Sequence, residues 1–236
     1  GLELLRSLNQ KYAEKFPSDS QLEARIKSYE LAARMQLSAP HIFDLSGETQ
    51  ATKKLYGLEE DKTADFARRC IIGRRMLESG VRFVQIWSGA GGPTNNWDNH
   101  ANISTELPKM TRQVDQPIAA LVRDLKSRGM LEDTLVIWTT EFGRMPFSQG
   151  QAGRDHNGGG FTTWLAGGGI KPGTTYGATD ELGFKAADKV VHSYELHATA
   201  LHLLGLDHER LTWYYNGLEQ RLTGFEGKGI IKELLS

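Results

Sequence analysis

The chain has 236 residues, with 28 Lys and Arg against 29 Asp and Glu, so its formal net charge is −1. This near-zero charge excludes a protein that binds nucleic acid or another polyanion through net charge alone. No apolar run in this sequence reaches the 18–20 or so residues that a membrane-spanning helix needs, and one cysteine, Cys70, excludes an internal disulfide.

The first 80 residues are predicted to be mainly helical. Apolar side chains at helical spacing indicate helices over 2–16 and 19–35, with Ser18 or Asp19 as the cap of the second. The same pattern predicts a further helix over 63–80.

From residue 81 onward, strand and helix patterns alternate. The segment 81–87 is typical of a strand and leads into a glycine-rich loop over 89–93, and a helix is expected over 114–129. The nearly continuous apolar run 134–140 predicts a central strand covered on both faces, and 161–166 predicts another strand. This alternation favours an α/β fold with a mainly parallel sheet.

Three polar clusters lie beside these predicted strands, where α/β proteins hold their ligands. Carboxylate and imidazole groups bind zinc and related divalent ions when thiolates are absent. Each cluster alone also fits a turn cap, an exposed ion pair or a hydrogen-bonded loop, but their coincidence at three strand ends favours a shared metal site. The clusters are Trp97-Asp98-Asn99-His100, Glu141-Phe142-Gly143-Arg144 and Gly153-Arg154-Asp155-His156-Asn157.

Other motifs in the sequence do not match a known cofactor site. The loop 89–93 fails the dinucleotide fingerprint because Thr94 stands where a third glycine is required. The remaining histidines are interpreted as structural, with His192 also a candidate for supporting metal ligands. This set contains His192, His197, His202 and His208.

The segment from Val114 to Gly143 resembles the sulfatase pattern, in which a helix ending in Leu-x-x-x-Gly precedes Thr-Leu-Val and a Thr-Ser-Asp motif. Segments 160–173 and 195–207 resemble the sulfatase elements that follow, in the same order. Together with the three clusters and the segment 206–212, they resemble a bacterial family of unknown function within the alkaline phosphatase and sulfatase superfamily.

This resemblance implies an alkaline phosphatase-like α/β/α sandwich with a mainly parallel central sheet. It implies a single domain over 1–236, helical over 1–80 and with a sheet-bearing core over 81–236. The amino-terminal strand that carries a metal-binding Asp and the nucleophile in that superfamily is not recognisable here. The chain is therefore expected to be the carboxyl-terminal part of the fold, from a periplasmic or secreted parent.

The resemblance also implies the metal ligands. One ion would be held by Asp98, His100 and His156, and a second ion would be held in part by Glu141. The expected cofactor is a divalent metal, namely zinc, calcium or manganese.

Beside these ligands, Arg144, Arg154 and Asp155 are predicted to form the anion- or substrate-binding site, in which the two arginines bind a tetrahedral anion. Ordinary ion pairs of the two arginines with Glu141 and Asp155 explain their positions equally well.

The implied function is a metal-dependent hydrolase of sulfate or phosphate esters that acts on a small molecule or glycan. One alternative is a non-catalytic glycan- or protein-binding module on a degenerate fold, favoured by Phe142 where the superfamily has a ligand histidine. Another is a phosphomutase-type transferase. With no recognisable nucleophile, this chain alone is expected not to turn over esters unless an unrecognised hydroxyl serves. The candidates are Ser88, Thr94, Thr139 and Thr140.

Overall fold

A computed structural model of the chain describes residues 2–16, 20–89, 96–148, 150, 152–224 and 229–236. The chain forms two compact units, one over 1–50 and 75–84 and the other over 51–74 and 85–236. Among the described residues, every helix is too short or too polar to cross a membrane. Several predicted features lie outside the described residues, namely the cap at Ser18 or Asp19, most of the loop 89–93, and Thr94.

In the first unit, the described residues before residue 50 form two helices, α1 (Leu2–Ala13) and α2 (Ser20–Phe43). Helix α2 extends eight residues beyond its predicted end at residue 35, although Pro40 lies inside it. Ile42 and Leu45 are buried at this end. The packing of these two side chains offsets the free energy lost because Pro40 cannot donate a backbone hydrogen bond. Local sequence patterns do not reveal this packing.

Four longer helical segments follow along the chain, together with two short 3₁₀ turns at Leu131–Asp133 and Lys232–Leu234. Helix α4 matches the helix predicted over 63–80, and Gly80 follows it with a positive φ of 86°. The helices are α3 (Gln50–Tyr56), α4 (Ala64–Glu78), α5 (Ile103–Ser127) and α6 (Ser193–Leu203).

Helix α5 starts eleven residues before the predicted start at residue 114. The prolines Pro108 and Pro117 both lie inside it, and the packing of the fully buried Pro117 compensates for its missing N–H. Gly129 follows the helix with a φ of 69°, as its predicted role as a helix terminator requires. The buried residues recur at helical spacing and are Met110, Val114, Pro117, Ala120, Asp124 and Leu125.

A buried polar network ties the end of α3 to α4 and α5. The Tyr56 hydroxyl donates a 2.9 Å hydrogen bond to Asp124 Oδ2, and Arg74 Nε lies 3.3 Å from the same oxygen. Arg128 Nε donates to Asp124 Oδ1 at 2.7 Å. Burial, followed by the Asp124 charge, raises the pKa of Tyr56, so the hydroxyl stays protonated and can donate.

The strands of the described residues form four antiparallel pairs of two strands each. The pairs are β1 (Val136–Trp138) with β4 (Trp164–Ala166), β2 (Gly143–Arg144) with β3 (His156–Asn157), β5 (Ala178–Thr179) with β6 (Ala186–Asp188), and β7 (Thr212–Tyr215) with β8 (Leu218–Arg221).

The predicted α/β/α sandwich with a mainly parallel central sheet is therefore wrong. Parallel neighbours need a crossover connection, usually a helix, whereas the described part of the connection between Trp138 and Trp164 contains no helix. The chain instead returns beside β1 in the antiparallel direction. Ile137 and Trp138 are 38% and 42% exposed, so β1 is not covered on both faces as predicted.

The predicted strand over 81–87 also differs from the structure, because none of its residues lies in a sheet. The carbonyl of Trp87 accepts a 2.8 Å hydrogen bond from Arg69 rather than from a neighbouring strand. Apolar, β-branched residues indicate strand propensity, but a ladder also requires a partner strand that only the tertiary structure supplies.

Candidate metal centre

The β2–β3 pair determines which of its side chains lie on the same face as His156, a candidate metal ligand. Its register places Gly143 opposite Asn157 and Arg144 opposite His156. Because successive side chains in a strand point to opposite faces, Arg144 and His156 share one face with Phe142, two residues before Arg144. Asn157 lies on the opposite face and is fully buried.

The loop that carries Asp98 and His100 is held in place by Asn99, the residue between them. Asn99 is buried, and its Nδ2 donates a 3.1 Å hydrogen bond to Glu106 Oε2 near the start of α5. Its carbonyl accepts a 3.0 Å hydrogen bond from the backbone N–H of Arg154. The flanking residues, Asp98 and His100, are exposed and available to a ligand.

Three potential ligand atoms converge at the centre, which is formed by Asp98, His100 and His156. The Nε2 atoms of His100 and His156 are 3.0 Å apart, and each lies 2.9 Å from Asp98 Oδ1. In a triangle of these sides, the point equidistant from the atoms lies about 1.7 Å from each, so an ion bonded at about 2.0–2.2 Å fits slightly above the plane.

Protons alone cannot satisfy all three of these contacts. Each Nε2 atom carries at most one hydrogen, and an ionised carboxylate carries none. If both nitrogens are protonated, the contact between His100 and His156 has no acceptor; if one is protonated, the other directs its lone pair at the carboxylate. A single cation removes the conflict, because all three atoms then act as ligands.

Arg144 holds the Asp98 carboxylate in place. Its NH2 group donates to Asp98 Oδ1 at 3.0 Å and to the Trp97 carbonyl at 2.7 Å, and its NH1 group donates to the Arg154 carbonyl at 3.1 Å. Hydrogen bonds from His156 and then from Arg144 lower the pKa of Asp98 to about 2. Asp98 is thus a carboxylate at neutral pH, as a metal ligand must be.

Two further side chains lie beside the histidines. Asp155 Oδ1 lies 3.8 Å from His100 Nδ1, the ring nitrogen that faces away from the centre. The Phe142 ring stacks on His156, with 4.0 Å between ring centroids and an interplanar angle of 27°. In the sequence, Phe142 stands where a ligand histidine is expected, and its contact with His156 is seen only in the structure. Its two-residue spacing from Arg144 is the available signal that the two side chains share a face.

The remaining predicted site residues make other contacts. Glu141 lies outside the convergent group, and its Oε2 accepts a 3.0 Å hydrogen bond from the Thr140 hydroxyl. Arg154 NH1 donates to the Gly153 carbonyl at 2.6 Å. A second metal at Glu141 and anion binding by Arg144, Arg154 and Asp155 stay predictions.

Three of the other histidines make contacts with residues close to them in the chain. His192 caps α6. Its ring accepts a hydrogen bond from the backbone N–H of Tyr194, and its backbone N–H donates to Glu195 Oε2 at 2.6 Å. His197 Nδ1 lies 2.7 Å from the Ser193 carbonyl, and His208 Nδ1 lies 3.0 Å from the Thr223 hydroxyl. These three histidines therefore contact parts of the chain other than the three convergent side chains.

Replacing Gly153 with alanine is expected to disrupt the centre. A Cβ atom there would overlap the carbonyl group of His100 and approach the Ala101 nitrogen to 2.6 Å, so the backbone that carries a ligand must move. We expect the free energy of unfolding to fall by about 1–3 kcal/mol. Urea denaturation measures this change, and the imidazole signals in NMR spectra report the displacement of His100.

Gly158→Ala is the control, because a Cβ there meets nothing within 4 Å. Equal stability of the two variants would contradict the predicted overlap.

Comparison with known proteins corrects the predicted relationship. The expected place in the alkaline phosphatase and sulfatase superfamily is wrong, since the family model that matches residues 1–235 is DUF1501, described as a protein of unknown function. No curated protein matches the chain, and no solved structure matches it. Because that family model matches all but one of its 236 residues, the chain belongs to the DUF1501 family of proteins of unknown function.

Proposed function

We propose that Asp98, His100 and His156 bind one divalent metal ion and that this centre serves the hydrolysis of phosphate or sulfate esters of small molecules or glycans. The observation that carries the proposal is the convergence of two imidazole nitrogens and one carboxylate oxygen within 3.0 Å of one another. The ligands come from two segments more than 50 residues apart in the chain, so local sequence geometry does not explain their meeting.

The ligand set favours zinc over calcium, with manganese as the next candidate. Two imidazoles and a carboxylate supply two nitrogens and one oxygen, which suits zinc. Calcium prefers six to eight oxygen ligands, and the convergent group supplies one carboxylate.

The openness of the centre supports a hydrolytic role rather than a purely structural one. The side chains of Asp98, His100 and His156 are 45–56% exposed. Catalytic zinc sites have three protein ligands and leave a position for water or substrate, whereas structural sites are closed by four. An ion held by these three side chains would lower the pKa of a water molecule or polarise an ester oxygen at the open position. Asp98, His100 and His156 would hold the ion, and Arg144 would orient the Asp98 carboxylate.

Metal analysis of purified protein tests the proposal. After loading with zinc and desalting, the wild-type chain is expected to retain about one zinc per chain, whereas His156→Ala should retain less than about a tenth of that. The matched control is His202→Ala, which removes an exposed histidine from α6 that is not in the convergent group. A wild-type chain that retains no zinc, manganese or calcium would refute the metal centre.

Turnover of aryl phosphate and aryl sulfate then tests the hydrolytic part. Turnover that a chelator abolishes and that zinc restores would support this part and would overturn the expectation from the sequence that the chain alone does not turn over esters. Metal binding without any turnover would instead support a non-catalytic binding module.

A further inference from the structure

The two histidines of the metal centre are supported differently. A metal-ligating histidine usually gives its second ring N–H to a carboxylate or a carbonyl, which fixes the orientation of the ring. His100 has the Asp155 carboxylate on that side, 3.8 Å from Nδ1. The hydrogen bonds and ion pairs of the His156 side chain with described residues all pass through Nε2. The ring of His156 therefore needs another constraint.

Phe142 provides a contact over the face of that ring. The two rings are 4.0 Å apart at an interplanar angle of 27°, close enough to oppose rotation of the imidazole about its bond to the side chain. Phe142 is half-buried, and the Arg144 guanidinium carbon lies 5.9 Å from its ring centroid. The pairing of Arg144 with His156 fixes the relative position of these residues.

We propose that Phe142 is a positioning residue that orients His156 for metal binding, an inference that rests on the proposed metal centre. A phenyl ring carries no charge, so its removal leaves the net charge of the centre unchanged. It acts by limiting the ring orientations that His156 samples, and loss of this constraint costs affinity because binding must then select one orientation. Loss of a hydrogen-bonded partner of a metal ligand typically weakens metal binding about 10–100-fold, and we expect the loss of this stacking contact to fall in the same range.

Cobalt(II) titration of the full chain tests this inference, because the visible absorption of bound cobalt reports both affinity and ligand geometry. Phe142→Leu removes the ring, and Phe142→Met is a second ring-free variant. Phe142→Tyr keeps the ring. The matched control is Phe147→Leu, since Phe147 stacks on Phe184 at 6.0 Å and does not stack on a ligand.

We expect both ring-free variants to bind cobalt about 10–100-fold more weakly with an altered absorption band, while Phe142→Tyr and Phe147→Leu stay within about threefold of wild type. Circular dichroism establishes that each variant is folded at the temperature of the titration. Wild-type affinity and band shape in the ring-free variants would overturn the role of Phe142 but leave the metal centre intact. Equal weakening in Phe142→Tyr would also overturn it. A wild-type chain that binds no cobalt would overturn the centre itself and this inference with it.

Discussion

Replacing Asp124 with alanine is expected to lower the free energy of unfolding by about 3–5 kcal/mol. The Asp124 carboxylate accepts the Tyr56 hydrogen bond at 2.9 Å and lies 3.3 Å from Arg74 Nε. Arg74 is 3% exposed, so the substitution removes a counter-charge from a guanidinium that water does not reach. Urea denaturation followed by circular dichroism measures the change.

Two variants separate the buried charge from other effects at this position. Asp115→Ala removes an exposed aspartate from the same helix and is expected to change the free energy of unfolding by less than about 0.5 kcal/mol. Tyr56→Phe removes one hydrogen bond and keeps the charges, so a loss of about 1 kcal/mol is expected. If Asp124→Ala cost less than about 1 kcal/mol, the buried ion pair would not be a main source of stability.

Zinc at about 100 times its dissociation constant is expected to stabilise the chain by about 2.7 kcal/mol, because the ion binds the folded state and not the unfolded one. For a chain of this size, such a gain raises the midpoint of thermal unfolding by about 5–10 °C. The ion would link the loop that carries Asp98 and His100 to strand β3, which carries His156. Differential scanning calorimetry with and without zinc measures the shift.

The stabilisation should be specific to the centre. Addition of EDTA is expected to reverse it, His156→Ala is expected to lack it, and His202→Ala should show it in full. A similar shift in His156→Ala would mean that zinc acts elsewhere on the chain.

Local sequence patterns predicted several helices because helical spacing is set by residues three and four positions apart. Helix α4 (Ala64–Glu78) and the turn at Gly129 follow from such patterns. The start of α5 at Ile103 and the extension of α2 through Pro40 did not, because distant packing outweighs the local preference of proline. Strand direction was also mispredicted, since an apolar run such as 134–140 indicates burial but not which segment will lie beside it.

The sequence by itself determined which residue types are available to the proposed metal centre. Asp98, His100 and His156 are the right residue types for a divalent metal, and the alternation of Asp98, Asn99 and His100 allows two ligands to face one way.

Only the tertiary structure decided that the three side chains meet, that Phe142 contacts His156 and Arg144 contacts Asp98, and that Glu141 lies outside the group. His156 is 56 residues from His100 and 58 from Asp98 in the chain. Ligand type is a property of single residues, whereas convergence depends on the register of the β2–β3 pair and on the contacts of Asn99 with Glu106 and Arg154. These contacts join segments far apart in sequence, and their free energies are not encoded in any local pattern.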